Sequence, residues 1–326
     1  MGTVFRKAIV LFAAMIFAAG LIFATGATAQ EKYPSRPIDF ICTWGVGGGA
    51  DQMARMLGRL MEKNLGVAVP VSNKPGASGN AGITDLLAGK ADGYTIAVYI
   101  ADTLNTIPNK TARHTVDDLE WIVRTQVAPS YLFVKPDGPF KTIEDLFKFA
   151  KENPGKLKVG TTGFGTVEDW TVRYLGTKGY KMNVIPIPNP GERYAATLGG
   201  HNEVLYEQAG DVKQYLDAKQ LRPLIIFAEK RQPAFADVPC SVEMGFQVTL
   251  PQFRSIVAKK GTPPDRLKIL ADAIKQAMDT PEWKKFAEEQ YVAADSYMGP
   301  DRFPTWVREE IEVMNKYMKE FSGGGN

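Results

Sequence analysis

Three glycine-rich segments contain the residues of this 326-residue chain that are best suited to hold a ligand. Each follows a strand-like run and precedes a helix-like one: WGVGGGAD (44–51), NKPGASGN (73–80) and GTTGFGT (160–166). A helix N-terminus leaves four N–H groups without intrahelical partners, and the helix dipole adds about half a positive charge there. Glycine lets the backbone turn these donors towards a ligand without a Cβ in the way. Such segments suit an anion, and hydroxyl groups within them favour a carboxylate.

Other interpretations of these segments have less support from the residues. Gly45-x-Gly47-x-x-Ala50 fits the dinucleotide fingerprint, but that fingerprint expects an acid about 20 positions further on, and Val67–Asn73 contains none. Ser78, in GASG, is one residue short of the G-x-S-x-G nucleophile elbow. A purely structural role for the glycines, as tight turns between strand and helix, stays open.

The composition excludes several functional classes. The chain has 39 Lys and Arg against 36 Asp and Glu, so it has no basic field for nucleic acid. His114 and His201 are far apart in the chain, as are Cys42 and Cys240, and no zinc, haem or iron–sulfur spacing occurs. We therefore expect no cofactor and no metal. A Cys42–Cys240 disulfide is permitted outside the cytosol, but we expect two unpaired thiols because Cys42 falls in a buried, strand-like run.

The N-terminal segment is typical of a secretory signal peptide. Met1–Lys7 is basic, and Ala8–Ala29 carries no charge and ends in Ala-Thr-Ala. An uncleaved membrane anchor is the alternative, because this apolar run is long enough to span a bilayer. We expect cleavage after about Ala29 and a mature protein exported to the periplasm.

Strand-like and helix-like segments alternate along the rest of the chain, which predicts an α/β fold with a parallel sheet. The strand-like segments are Ile38–Thr43, Val67–Val71, Tyr94–Ile100, Tyr131–Val134, Lys156–Val159, Val184–Ile187, Glu203–Tyr206 and Leu221–Phe227. The helix-like segments between them are Asp51–Leu65, Ala81–Lys90, Ile143–Glu152 and Thr166–Thr177.

Capping signals mark the starts of three helices. Thr142 with Asp145 predicts a capping box, and Thr262 and Thr280, each followed by proline, predict N-caps. Apolar residues recur at helical spacing in the two C-terminal stretches 267–278 and 306–317. We expect these stripes to pack in the core rather than around a cofactor.

Motifs along nearly the whole mature chain match one known family. They are Tyr33-Pro34 with Arg36-Pro37, the Gly-Gly-x-x-Asp corner that ends at Asp51, Asn73-x-Pro75-Gly76-Ala77, Gly79-Asn80, Asp92-Gly93-Tyr94-Thr95, Leu198-Gly199-Gly200, Leu221-Arg222-Pro223-Leu224, Asp237-Val238-Pro239 and Gly261-Thr262-Pro263-Pro264. In this order they resemble the tripartite tricarboxylate transporter receptors, the TctC or Bug family of periplasmic solute-binding proteins.

The resemblance implies a two-domain periplasmic-binding-protein fold of type II, with the ligand cleft between the domains. Domain 1 would comprise residues 30–130 and 254–326, and domain 2 residues 131–253. The chain would cross between them near Val127–Val134 and near Gln252–Ala258. Family members deliver their solute to a membrane complex of one large and one small integral subunit, which are the partners implied here. We expect a monomer.

The resemblance also implies where the ligand binds. Family members hold a ligand carboxylate at the first glycine corner and at the facing loop of domain 2, through backbone N–H groups and bridging waters. Carried over to this chain, with Gln208 added at the end of a domain 2 strand, the ligand-binding residues are Trp44, Gly47, Gly48, Gly49, Ala50, Asp51, Ser78, Gly79, Asn80, Thr161, Thr162, Gly163, Thr166 and Gln208.

Two positions depart from the family pattern. Trp44 begins a corner in which many members have prolines, and it would either cover the site or pack in the core. Glu168 and Asp169 stand where small or neutral residues are common. If these acids faced the cleft, they would disfavour a second carboxylate and favour an amine or a hydroxyl. Arg193 would reach the distal end of the solute, and Asp51 is explained equally well as an N-cap.

These observations predict a receptor for a small organic carboxylate (a di- or tricarboxylate or an aromatic acid) that has no enzymatic activity. Two alternatives from other classes stay open at this point. One is an exported α/β hydrolase that acts at Ser78, and the other is a sensory receptor that signals to a membrane kinase.

Overall fold

The computed structural model describes residues 32–322. The predicted signal peptide, 1–29, therefore lies outside the described residues. A boundary lies before Arg36, and the unit that follows it contains both of the sheets described here.

The first sheet has five strands in the order β2-β1-β3-β10-β4. Its strands are β1 (Asp39–Cys42), β2 (Val71–Asn73), β3 (Thr95–Ile100), β4 (Leu119–Ala128) and β10 (Gln252–Lys259). β1 is parallel to both β2 and β3, whereas β10 runs antiparallel to β3 and β4.

The second sheet repeats this arrangement, with the order β7-β6-β8-β5-β9. Its strands are β5 (Ser130–Val134), β6 (Lys158–Thr161), β7 (Asn183–Pro186), β8 (Val204–Gln208) and β9 (Arg222–Phe227). β6 is parallel to β7 and β8, and β5 is antiparallel to β8 and β9.

The prediction of a parallel sheet is correct for only three strands of each sheet. It is wrong for the pairings of the other two, because β10 and β5 each enter their sheet in the opposite direction and pair antiparallel with both neighbours. β4 and β10 were not predicted as strands. The strand expected at Val67–Val71 is displaced to β2. The carbonyl of Pro70 accepts a 2.9 Å hydrogen bond from Phe40, but proline has no N–H to donate in return.

The two sheets are joined by one single-residue connection and by a longer one, residues 228–251. Pro129 alone separates β4 of the first sheet from β5 of the second, and the chain returns to the first sheet as β10 begins at Gln252. All strands of the first sheet fall within 30–130 and 252–259, and all strands of the second fall within 130–227. The exact domain boundaries stay a prediction.

Ten α-helices lie among the described residues. They are α1 (Gly49–Leu65), α2 (Asn80–Ala88), α3 (Ala101–Asn105), α4 (Ile143–Glu152), α5 (Val167–Thr177), α6 (Pro190–Leu198), α7 (Lys213–Asp217), α8 (Pro264–Asp279), α9 (Pro281–Glu289) and α10 (Phe303–Ser322). α3 and α6, which both contribute to the site described below, were not predicted.

The capping predictions are confirmed at two of three positions. Thr142 and Asp145 form the capping box of α4, and the Thr280 side chain accepts from the Trp283 N–H at the start of α9. Thr262 is not an N-cap, so that prediction is wrong: α8 begins at Pro264, and the Thr262 hydroxyl donates instead to the Lys259 carbonyl at 2.7 Å.

The apolar stripes pack in the core, as predicted. Leu270 and Ile274 of α8 are fully buried, as is Val307 of α10. Both cysteines are buried and unpaired, which confirms the expectation of two free thiols, and burial raises the pKa of Cys42 to about 12.

Two features are absent from residues 32–322. No helix in this part of the chain is long and apolar enough to cross a membrane. No cluster of three or more His, Cys, Asp or Glu side chains there has an arrangement that could hold a metal ion.

Candidate functional site

A cavity of about 30 Å³ lies between the two sheets, and its walls come mainly from segments that follow the parallel strands. This is where open α/β sheets bind ligands. The first sheet and its helices contribute Trp44, Gly45, Gly48, Gly49, Ala50, Ile100, Asp102, Gln252 and Arg254. The second sheet and its helices contribute Thr162, Glu168, Pro188, Pro190, Arg193, Tyr194, Glu207, Gln208 and Asp211. A space of this size holds about two or three waters, so the cleft must widen to admit an organic acid.

The N-terminus of α1 forms one wall of the cavity. Its cap, Gly48, has no side chain to bond the first turn, and the first backbone bond of the helix runs from Gln52 N to Gly48 O at 3.0 Å. Gly49 and Ala50 precede that bond, so their N–H groups have no partner within the helix. The wall therefore presents amide donors and the positive end of the helix dipole to the cavity.

Asp51 lies in the same turn but does not line the cavity. Its carboxylate accepts from Gly47 N at 3.0 Å and Asn73 Nδ2 at 2.8 Å, and it pairs with Arg55 at 2.9 Å. Burial opposes the charge, but these hydrogen bonds, with that of Arg55 the largest, hold the pKa of Asp51 below its usual value. Asp51 thus fixes the shape of the corner, and the cap position belongs to Gly48.

The opposite wall is acidic. Asp102, at the start of α3, accepts from Val167 N at 3.1 Å and from Gln252 Nε2 at 3.0 Å, and its Oδ2 lies 3.3 Å from Thr162 Oγ1. It therefore occupies the N-terminus of α5, a helix of the second sheet. Burial raises the pKa of Asp102 to about 6.

Glu168 of α5 is the second acid of this wall and is fully buried. Its Oε2 accepts from the backbone N–H of Thr162 at 2.5 Å and from Thr162 Oγ1 at 3.0 Å. Its Oε1 is buried without a hydrogen-bond partner among the described residues. Burial, reinforced by the nearby Asp102 carboxylate, raises the pKa of Glu168 well above its usual value.

Two buried ion pairs complete the lining. Arg193 of α6 pairs with Glu207 of β8 at 2.6 Å, and the Tyr194 hydroxyl donates to the same carboxylate at 3.0 Å. Arg254 of β10 pairs with Asp211 at 2.5 Å and so links the first sheet to the segment after β8. Burial raises the pKa of Asp211 to about 7, even though Arg254 opposes the rise.

Gly49 is the point where these groups meet α1. A Cβ at this position would collide with the Asp211 carboxylate and the Arg254 guanidinium. A hydrogen bond from the Gly49 N–H is among the effects that favour the charged form of Asp211. The corner thus already accommodates one carboxylate, which belongs to the chain itself and is balanced by Arg254.

Six of the fourteen ligand-binding residues predicted from the sequence line the cavity: Trp44, Gly48, Gly49, Ala50, Thr162 and Gln208. Arg193 and Glu168 line it too, whereas Asp169 does not and instead pairs with Arg173 at 2.9 Å. Trp44 is buried, and its Nε1 has no acceptor among the described residues.

The other eight predicted residues surround the cavity without lining it: Gly47, Asp51, Ser78, Gly79, Asn80, Thr161, Gly163 and Thr166. Thr166 caps α5 by accepting from Asp169 N, and Asn80 donates to the Ala77 carbonyl at 2.7 Å. Gly79 has a φ of 87°, and a Cβ there would collide with Thr103. Ser78 Oγ faces Gly163 across the cleft, 3.5 Å from where a Cβ would stand.

Six lining residues that carry polar side chains were missed from the sequence: Asp102, Tyr194, Glu207, Asp211, Gln252 and Arg254. The rule that ligands bind beyond the carboxyl ends of parallel strands would have indicated Asp102, which follows β3, and Asp211, which follows β8. No sequence signal marked Arg254, because β10 was not predicted as a strand.

Comparison with known proteins gives a consistent result. The model of a family described as "Tripartite tricarboxylate transporter family receptor" matches residues 53–316. The chain is 32% identical to a UPF0065 protein from the gbd 5' region of Cupriavidus necator, over 92% of each chain. It is 27% identical to a solved periplasmic transporter, with a TM-score of 0.82 and coverage of 88% of this chain and 97% of the other.

Two further solved structures that share the fold contain bound ligands. MatC from Rhodopseudomonas palustris, with bound malate, is 22% identical, with a TM-score of 0.79, over 87% of this chain and 99% of that one. An R. palustris protein with adipate is 20% identical, with a TM-score of 0.83, over 89% of this chain and 98% of that one.

Proposed function

Because the chain belongs to the tripartite tricarboxylate transporter family of receptors, we propose that it binds a small organic carboxylate and delivers it to a membrane transporter. The two-domain periplasmic-binding-protein fold, predicted from the sequence, is confirmed by the solved relatives. The family consists of periplasmic solute receptors. A periplasmic location after removal of residues 1–29, delivery to one large and one small integral subunit, and the absence of catalysis are parts of the proposal.

One observation carries the proposal for the ligand. The N-terminus of α1, with Gly48, Gly49 and Ala50, opens into a buried cavity between the two sheets. Helix N-termini favour carboxylates through their free N–H groups and their dipole. Malate and adipate, the ligands of two proteins with this fold, are both dicarboxylates, which supports this class of ligand.

The facing corner contributes less to this proposal than the sequence led us to expect. The backbone N–H groups of Thr162 and Val167 donate to Glu168 and Asp102, so they are engaged within the protein. The proposal therefore places the solute's carboxylate at the α1 corner, next to the indole of Trp44. We further propose that residues 30–130 with 254–326 and residues 131–253 form the two domains that close over it.

The proposal is tested by titrating the purified protein with C4–C8 mono-, di- and tricarboxylates and with aromatic acids. A ligand at about 100 times its dissociation constant stabilises a protein by about 2.7 kcal/mol, which calorimetry and thermal unfolding both detect. Lack of stabilisation by any of these acids, under conditions in which the protein is folded, would contradict the proposal.

Gly49→Ala tests the location of the site. Its methyl group would push the Asp211 carboxylate and the Arg254 guanidinium out of the closed arrangement, so we expect at least a tenfold loss of affinity with the fold retained. Gly176→Ala, in the last turn of α5 where a Cβ meets nothing closer than 3.9 Å, is the matched control and should bind normally. Equal affinity in the two variants would place the ligand elsewhere.

A further inference from the structure

The cavity is lined by more acidic than basic side chains. Four buried carboxylates line it, those of Asp102, Glu168, Glu207 and Asp211, against the two guanidinium groups of Arg193 and Arg254. Both guanidinium groups are already paired, with Glu207 and Asp211. Asp102 and Glu168 are therefore left without a cationic partner in the described part of the chain.

Asp102 and Glu168 reach the cavity from opposite sheets and meet at one hydroxyl. Thr162 Oγ1 lies 3.3 Å from Asp102 Oδ2 and 3.0 Å from Glu168 Oε2. A hydroxyl has one hydrogen and cannot donate to both carboxylates at once. Glu168 Oε1 is also buried and has no donor among residues 32–322. A buried acceptor without a donor lowers the stability of the folded protein, and a ligand that supplies a donor removes this cost.

The two walls of the cavity thus have opposite polarity. The α1 wall presents amide N–H groups, and the indole Nε1 of Trp44 beside it is a buried donor without an acceptor in the described chain. The Asp102–Glu168 wall presents two carboxyl groups, which are acceptors only when ionised. A dicarboxylate would satisfy the first wall and bring a like charge to the second.

We propose that the solute of this receptor also carries a protonated amine, which binds between Asp102 and Glu168 while its carboxylate binds at the α1 corner. The inference rests on the proposed function, since both groups would occupy the same cleft. The ligand class is therefore an aminocarboxylate rather than a di- or tricarboxylate. An ammonium group supplies three N–H donors and a positive charge, which are what the two acids lack.

The direction of the pH dependence follows from this arrangement. The charged and titratable groups around the two acids are Arg193, Glu207 and the Tyr206 phenol, with Asp211 and Arg254 further along the wall. Burial raises the pKa values of both Asp102 and Glu168, so protons compete with a bound cation. Affinity for an amino acid should therefore rise from pH 5 to pH 8, whereas affinity for a dicarboxylate should fall.

The test is a calorimetric titration with four matched series of C4–C8 compounds: monocarboxylates, dicarboxylates, ω-amino acids and primary alkylamines, with the common α-amino acids added. We expect at least one amino acid to bind ten times more tightly at pH 7.5 than the dicarboxylate of the same chain length. Tighter binding of a monocarboxylate or dicarboxylate than of every amino acid would overturn the inference and leave the proposed function intact. Binding of alkylamines alone would overturn the carboxylate site instead, and no binding at all would overturn both.

Two variants test whether Glu168 and Asp102 bind the amine. Glu168→Gln keeps the shape of the side chain and removes its charge, and Asp102→Asn does the same on the facing helix. Each should lower the affinity for the amino acid at least tenfold, reduce the preference over the matched dicarboxylate, and flatten the pH profile. Glu152→Gln, at an exposed position of α4, is the control and should match the unmodified protein. An unchanged preference and pH profile in Glu168→Gln and Asp102→Asn would overturn the inference.

Discussion

Glu168 lies in an environment that opposes its charge. Its side chain is fully buried, and one of its carboxylate oxygens has no donor among the described residues. The Asp102 carboxylate is within hydrogen-bond distance of the same Thr162 hydroxyl that contacts Glu168. Burial and the neighbouring acid both favour the protonated form in the folded protein. In the unfolded chain the same carboxyl group returns to its usual pKa of about 4.5. The folded state therefore binds a proton that the unfolded state releases.

This difference predicts a pH-dependent stability effect that Glu168→Gln removes. Because the folded pKa is raised, the folded state is favoured at low pH, and that advantage is lost as pH rises from about 4.5 through the folded pKa. Each pKa unit corresponds to about 1.4 kcal/mol. Without ligand, the free energy of unfolding of Glu168→Gln should match that of the unmodified protein near pH 4.5 and exceed it by at least about 1 kcal/mol at pH 8. Urea unfolding at several pH values measures this, and a pH-independent difference between the two proteins would contradict it.

Site residues could be predicted from the sequence where neighbouring residues in the chain mark them, and were missed where only distant residues do. Gly48, Gly49 and Ala50 stand in one glycine-rich corner, whose role follows from backbone geometry and helix ends. Arg254 has no such local signal, because its partner Asp211 is 43 positions away and is reached only through the pairing of two sheets. The conditional prediction about Glu168 could be stated from the sequence, but its orientation depended on where α5 packs.

The short helix α3 connects the two walls of the cleft. Asp102 at its start bonds the N-terminus of α5, and Asn105 at its end donates to the Gly165 carbonyl at 2.7 Å. Asn109, just beyond the helix, donates to the same carbonyl at 2.8 Å. These bonds join elements of the first sheet to the glycine corner of the second. They therefore stabilise the closed arrangement of the cleft.

Removing both amides should weaken binding without damaging either sheet. A hydrogen bond of this kind contributes about 1 kcal/mol, so Asn105→Ala with Asn109→Ala should lower ligand affinity by about tenfold. The Gly165 carbonyl would meet water when the cleft opens, so the thermal stability of the unliganded protein should change little. Asn64→Ala removes an amide-to-carbonyl bond to Ala273, between two helices packed with the first sheet, and is the control. Equal losses of affinity in the double variant and in Asn64→Ala would refute the role assigned to α3.

Secondary structure with strong local signals was predicted well. α4 has the predicted bounds, because Thr142 and Asp145 form a capping box and its apolar face is regular. α3 was missed because five residues show no full helical period, and β4 and β10 were missed because continuous burial removes the alternation that indicates a strand. Pairing between β10 and β3 joins residues more than 150 positions apart, which no local pattern encodes.

At the scale of the whole molecule, the chain builds two sheets with the same strand pattern and crosses between them first through Pro129 and then through residues 228–251. Pro129 fixes one backbone torsion at the first crossing. The Arg254–Asp211 pair spans the cleft near the second crossing, and both side chains are about 96% buried. Closure of the cleft is thus coupled to desolvation of this ion pair.

Arg254→Met should therefore favour the open arrangement. The substitution leaves the Asp211 carboxylate buried without a cation whenever the cleft closes, which costs about 3–5 kcal/mol. We expect a loss of ligand affinity of at least a hundredfold and a larger radius of gyration by small-angle X-ray scattering. Adding Asp211→Asn should recover part of the affinity, because it removes the unpaired charge. A double variant no better than Arg254→Met alone would show that the two side chains act independently.

The two native thiols have a practical consequence for measuring this motion. Cys42 and Cys240 are fully enclosed, and the Cys42 sulfur stays protonated at any physiological pH. Maleimide reagents attack exposed thiolates, so the natural protein should be nearly inert to them. One cysteine introduced on the outer surface of each sheet could then be labelled with a pair of fluorophores without first replacing any native residue. Energy transfer between them would report solute capture in real time.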